Sequence, residues 1–367
     1  MNIFFCQGCG QRLYFENTQC EQCGRSLGYL PDHAVISALE QGGPDFKAMA
    51  ANGELYKFCL NAQYGVCNWM IPAAAEEQHC AACRHNHTIP DLSVPENLPL
   101  WRRIENAKHR LFYSLLKLKL PLANKKDDPK KGLTFEFLAE DNSTHGQRVM
   151  IGHENGTITV AVREADDAVR ERTRAELREP YRTLLGHFRH EIGHYFWDRL
   201  IDAGNNLDAF RTLFGDERLD YNAALAAHYA NGAPANWQQN FVSAYASMHP
   251  WEDFAETWAH YLHIIDTLET ARSHGVRLQA RAGWRKDSTT AITFDPHNAP
   301  DIGALIDAWL PLTFAVNSLN RSMGQPDLYP FVLSPTAISK LDYVHRLIHA
   351  GRAFNDDTGP RSDASAA

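Results

Sequence analysis

Cysteine is missing from the whole of the chain beyond Cys83, although eight cysteines lie between Cys6 and that point. A secreted disulfide framework spreads its thiols through the fold. This gathering excludes that class and points to metal held in a reducing, cytoplasmic compartment. Basic residues are scarce where a nucleic-acid reader would need them: Arg12 and Arg25 are the only ones among the first thirty. With a formal net charge of −8 over 367 residues as well, nucleic acid is excluded as the main partner. The start of the chain has no basic n-region, which excludes an ordinary signal peptide. An uninterrupted apolar run of about 20 residues, the length that spans a bilayer, is also wanting. The nearest, Leu111 to Leu122, is broken by Lys117 and Lys119. The expectation is a globular protein without membrane association, long enough for two or three domains.

What is present divides the chain into a cysteine-rich head, residues 1–95, and a cysteine-free body, residues 96–352, with a polar tail at 353–367 expected to be disordered. After residue 30 a linker is expected, broken at Gln41-Gly42-Gly43-Pro44. Trp101 to Leu120 has helical periodicity and closes at Pro121. Strands are expected at Leu133–Leu138, Arg148–Gly152 and Thr157–Arg163. The last two flank the hairpin dipeptide Asn155-Gly156. Beyond Pro180 the pattern is mostly helical, and the last element opens at Ser334-Pro335.

Cys6, Cys9, Cys20 and Cys23 have the spacing C-x2-C-x10-C-x2-C, in which two tight turns each present two sulfurs to one tetrahedral zinc. Cys59, Cys67, Cys80 and Cys83 form a looser second set, in which His79, His85 or His87 lies close enough to replace one cysteine. The head is therefore expected to hold one or two structural Zn2+ ions and to serve a structural or protein-docking role.

The body contains His190-Glu191-Ile192-Gly193-His194. On a helix, positions i and i+4 share a face, so both imidazoles can reach one zinc ion while Glu191 stands beside it as a base for a water proton. Leu184, Phe188, Ile192 and Tyr195 form an apolar face next to the histidine edge. Trp197 and Leu200 stand where the metzincin continuation needs Gly and His, which excludes that class. A third ligand is expected from Pro250-Trp251-Glu252-Asp253-Phe254-Ala255-Glu256. There Glu252 and Glu256 share one helical face, opposite Phe254, Trp258 and Leu262. One glutamate can ligate while the other accepts a hydrogen bond from a ligand histidine. Asp253 points elsewhere and is expected to act on its helix dipole. His260 and His263 are weaker candidates for stabilising developing charge.

These motifs resemble the gluzincin metallopeptidases, and in particular zinc-binding metallopeptidases that join an N-terminal zinc ribbon to a gluzincin domain. The resemblance implies an α+β fold: a zincin-like domain of a small antiparallel or mixed sheet plus active-site helices, preceded by the zinc-ribbon region. It implies Glu252 as the third ligand of one catalytic zinc, Glu256 bonded to a ligand histidine, and Tyr245 as a donor to the oxyanion. The activity it implies is hydrolysis of a peptide or protein substrate, with Thr157–Arg163 binding substrate backbone by edge pairing. The competing reading is a catalytically silent zincin-shaped adaptor that acts through the zinc head.

Overall fold

Strand pairing in the body starts from Asn155 and Gly156, both of which adopt positive φ (49° and 82°). That is the conformation a two-residue type I′ hairpin requires. The computed structural model describes residues 1–139, 151–177, 179–204, 206–279 and 289–356. Its strands are β1 (Phe4–Phe5), β2 (Arg12–Leu13), β3 (Leu27–Leu30), β4 (Val35–Gly42), β5 (Asp45–Ala48), β6 (Glu54–Phe58), β7 (Met70–Pro72), β8 (Asn86–Thr88), β9 (Thr134–Leu138), β10 (Gly152–Glu154), β11 (Thr157–Ala161), β12 (Arg277–Gln279) and β13 (Thr289–Ala291). The α-helices are α1 (Asn97–Lys117), α2 (Asp167–Glu176), α3 (Leu184–Trp197), α4 (Leu207–Phe214), α5 (Tyr221–Asn231), α6 (Pro250–Ser273), α7 (Ile302–Ser322) and α8 (Pro335–Asp356).

The segment expected to be a linker is structured. β3 to β7 form a five-stranded antiparallel meander in chain order, and Gly42-Gly43-Pro44 is part of the turn between β4 and β5. Breaker residues mark a turn but do not say whether the flanking segments pair. The body sheet has the order β10-β11-β9-β8, antiparallel at β10–β11 and parallel elsewhere. β11 is therefore an interior strand flanked on both sides, and it ends at Ala161 rather than Arg163. Edge pairing along Thr157–Arg163 is excluded where β10 covers it. Of the expected Arg148–Gly152 strand, Arg148 to Met150 lie outside the described residues. So do residues 357–367 of the expected tail, whereas α8 continues to Asp356.

The sheet packs its aromatic face on α1 and α3: Phe135 lies 6.0 Å from Phe112 and 5.7 Å from Phe188, centroid to centroid. α3 crosses α6 closely, with Phe196 stacked on Trp258 at 4.8 Å. Phe188, Ile192, Tyr195, Phe254, Trp258 and Leu262 are fully buried, as the helical periodicity predicts. Head and body share one core. Phe15 and Tyr29 of the head meet Tyr113 of α1, and β8, which directly follows the last cysteines, is an outer strand of the body sheet.

α7 differs from expectation. By length and composition it is apolar enough to cross a membrane. Ile302, Leu305, Ile306, Trp309 and Leu312 are buried in the core, while Leu310, Phe314 and Leu319 are exposed.

Candidate metal centres

Helix α3 begins at Thr183, whose side chain accepts from the Gly186 amide and satisfies a first-turn donor. α6 begins at His249, whose Nδ1 accepts from the Trp251 amide at 3.1 Å while Nε2 donates to the Leu219 carbonyl. These starts set the rotation of two crossing helices, and the crossing brings three residues together. His190 Nε2 lies 3.2 Å from His194 Nε2 and 2.9 Å from Glu252 Oε2, and His194 Nε2 lies 3.5 Å from that same oxygen. For a tetrahedral ion bound at about 2.1 Å, ligand atoms stand roughly 3.4 Å apart, so the triad fits zinc.

The neighbours orient these ligands. His190 Nδ1 donates to Glu256 Oε1 at 2.7 Å, which turns the Nε2 lone pair toward Glu252, and Ser243 donates to Glu256 Oε2 at 2.5 Å. Apart from these two imidazoles, Glu252 Oε2 has no partner. Acceptor atoms thus converge with nothing between them, an arrangement that a cation relieves. Burial opposes a charge on His190, but Glu252 and Glu256 outweigh it and hold its pKa well above the ordinary value. Burial likewise opposes charge on Glu252, and the two histidines outweigh it, leaving the carboxylate well below its usual range. Glu191 is buried beside the group, with one carboxylate oxygen unpartnered. Desolvation raises its pKa, partly offset by His190 and His194.

Two contributors lay outside the sequence reading, Tyr221 and Trp251. Tyr221 of α5 donates to Glu252 Oε1 at 2.9 Å. Trp251 packs its ring 3.7 Å from that of His194. No spacing in the sequence points to Tyr221, which reaches the site from a separate helix. Trp251 adjoins Glu252 and was legible as a neighbour only. Tyr245 itself lies 6.0 Å from the His190 ring.

Asp253 stands in the first turn of α6, where the helix dipole favours it, and it is also wholly buried and bonded to Lys340 of α8 at 2.6 Å. His260 Nδ1 bonds to the Tyr329 hydroxyl, and His263 Nδ1 accepts from Arg189. His187 lies 3.7 Å from Glu164, apart from the triad.

In the head, Cys6 Sγ lies 3.6 Å from Cys23 Sγ, and Cys9 lies 3.5 Å from Cys20. Cys59, Cys67, Cys80 and Cys83 form a second group, with Cys67 and Cys80 3.8 Å apart. Sulfurs bound to zinc at about 2.3 Å stand roughly 3.8 Å apart, so both tetrads have the dimensions of a thiolate site. All eight thiols are free. Neither His85 nor His87 joins the second tetrad: the first donates Nδ1–H to the Leu133 carbonyl, and the second faces Glu136 from the surface. Burial lowers the His85 pKa to about 4, so it is neutral. The imidazole that does approach comes from α1, as His109.

Residues 97–347 match the family described as "Putative zinc-binding metallo-peptidase", and residues 3–94 match one described as "zinc-ribbon domain". Two relatives, each carrying the name uncharacterized protein, come from Mycobacterium tuberculosis and Mycobacterium bovis. Each is 41% identical over 351 residues, which cover 95% of this chain and 95% of the relative. No solved structure matches the chain. The first match spans more than half of the sequence and contains the whole His190, His194 and Glu252 group, so the protein belongs to that family of zinc-binding metallo-peptidases.

Proposed function

We propose that the protein hydrolyses peptide bonds at a gluzincin-type site in a zincin-like body, with His190, His194 and Glu252 as the ligands of one zinc ion. The observation that carries this is the convergence of their three ligand atoms at tetrahedral spacing, with the Glu191 carboxylate buried alongside. Zinc bound there polarises a carbonyl and lowers the pKa of a water at its open position.

Glu191 takes the proton from the attacking water and returns it to the leaving amine. Burial raises its pKa above the ordinary carboxyl value, the direction that strengthens it as a base. Glu256 fixes the tautomer of His190, and Trp251 limits the rotation of His194. Tyr245, whose ring lies 6.0 Å from that of His190, is the donor for charge developing on the carbonyl oxygen. Substrate backbone pairing is reassigned to β10, the outer strand on the α3 side among the described residues. The eight free thiols suit a reducing cytoplasm.

The test is Glu191→Gln assayed on a peptide library with metal analysis of the same sample. Retained zinc with hydrolysis abolished supports the mechanism, and turnover equal to the unsubstituted protein removes it.

A further inference from the structure

The second cysteine tetrad belongs to the head but lies at its boundary with the body. It lies against α1, the first helix of the body, and every group around it is buried. Cys59, Cys67, Cys80 and Cys83 are each less than a tenth exposed, as are Glu105, Lys108 and His109 of α1. Three of the four sulfurs accept a backbone amide at 3.4 Å: Cys59 from Cys80, Cys80 from Cys83, and Cys67 from Trp69. The remaining sulfur, Cys83, faces α1 instead. His109 Nε2 stands 3.7 Å from Cys83 Sγ and 3.3 Å from Cys67 Sγ. Its ring is held 5.1 Å from that of Trp69, two residues beyond the tetrad's Cys67 in the chain.

Charge gives this contact its meaning. Zinc with four thiolates carries two net negative charges, and burying them without donors is costly. The nearest carboxylate, Glu105, lies 3.8 Å from Cys83, but it is offset by Lys108, whose Nζ lies 2.8 Å from it. Glu105 also accepts from Trp101 at 3.1 Å and Asn86 at 2.6 Å. Glu105 and Lys108 thus form a neutral pair, which leaves His109 as the group on α1 able to donate directly to the sulfurs.

We propose that His109, in its Nε2–H form, donates to the Cys67 and Cys83 thiolates of a zinc ion held by Cys59, Cys67, Cys80 and Cys83, so that this ion clasps the head to helix α1. Four sulfurs already complete the tetrahedron, so His109 is a positioning residue and not a ligand. The consequence reaches the body. α1 packs against α3, and β8 joins the body sheet three residues after Cys83, so filling the site steadies the scaffold beneath the His190 and His194 edge.

The test uses the full chain carrying His194→Ala, which empties the catalytic site and leaves the thiolate ions to be counted. Zinc release to a chromophoric chelator is followed in this background with and without His109→Ala. Outer donors to metal ligands contribute about 10–100-fold in metal affinity. One of two release phases should therefore accelerate at least roughly ten-fold in His109→Ala while the other stays unchanged. Substituting cobalt should give tetrathiolate spectra in both forms. Identical release kinetics overturn the proposal, and so does a cobalt spectrum of three sulfurs and one nitrogen in the His194→Ala parent. Should His109→Ala not fold, 15N-histidine spectra of the His194→Ala parent decide: a protonated, slowly exchanging Nε2 on His109 supports the clasp, and a metal-bound Nε2 overturns it.

Discussion

Gly193→Ala tests the crossing on which the candidate catalytic site depends. A Cβ built on Gly193 would lie 2.9 Å from Ala255 Cα and 3.2 Å from Trp258 Cβ, where ordinary contacts are 3.4–4 Å. The obstacle is the α6 backbone, which has no rotamer to yield, so the helices must separate by roughly half an ångström or more. Helix propensity favours alanine by about 1 kcal/mol, while overpacking costs about 1–3 kcal/mol. Net stability should therefore fall by at most about 2 kcal/mol, a shift of several degrees in melting temperature. The site should suffer more, because two ligands ride on α3 and one on α6. Sites tolerate displacements of about 0.5 Å, and a misplacement of about 1 Å can cost 10²-fold. The expected result is a folded protein whose catalytic zinc binds at least about ten-fold more weakly and whose turnover falls about 10–100-fold. Competition with a zinc-buffering chelator, paired with calorimetry, measures both quantities. Wild-type zinc affinity in a folded Gly193→Ala protein would refute the argument that this approach sets the ligand geometry.

Glu256→Gln keeps the shape but weakens the acceptor on His190 Nδ1. Zinc affinity should drop about 10–100-fold by equilibrium dialysis, with little change in melting temperature. Tyr221→Phe removes the donor to Glu252 Oε1; a lost hydrogen bond to a charged group, about 1.5–3 kcal/mol, should appear as roughly ten-fold or greater loss of zinc affinity. Lys340→Met should cost about 3–5 kcal/mol by leaving the Asp253 carboxylate buried without its cation. That deficit should depend on pH. Burial raises Asp253 to about 7 even with Lys340 offsetting it. A raised carboxyl pKa means the folded state holds a proton that the unfolded state releases, so stability falls as pH rises toward the folded value. Removing Lys340 extends that fall upward, and thermal melts should show a larger deficit at pH 8.5 than at pH 6. An equal deficit at both would exclude a buried carboxylate as the cause.

Local features carried much of this protein in the sequence. The close pairs Cys6–Cys9, Cys20–Cys23 and Cys80–Cys83, the His190 to His194 spacing and the Asn155-Gly156 turn are set by residues a few positions apart, so one turn or one hairpin suffices to express them. The apolar faces of α3 and α6 were legible for the same reason, since periodicity records which side of an element is buried. Strand pairing beyond the Asn155-Gly156 hairpin was not legible. The meander that replaces the expected linker, and the place of β11 inside its sheet, follow from non-local hydrogen bonds that leave no mark in the spacing.

The sequence by itself therefore determined the candidate ligand types, their short-range geometry and the division between a cysteine-rich head and a cysteine-free body. Tertiary structure decided how those parts meet. It brought Tyr221 from α5 to Glu252, turned Asp253 away to Lys340, and set His109 against sulfurs far behind it in the chain. The physical reason is the same each time. A buried polar group must find a partner, and in a shared core the partner is whichever packed neighbour lies nearest in space, however distant it is along the chain.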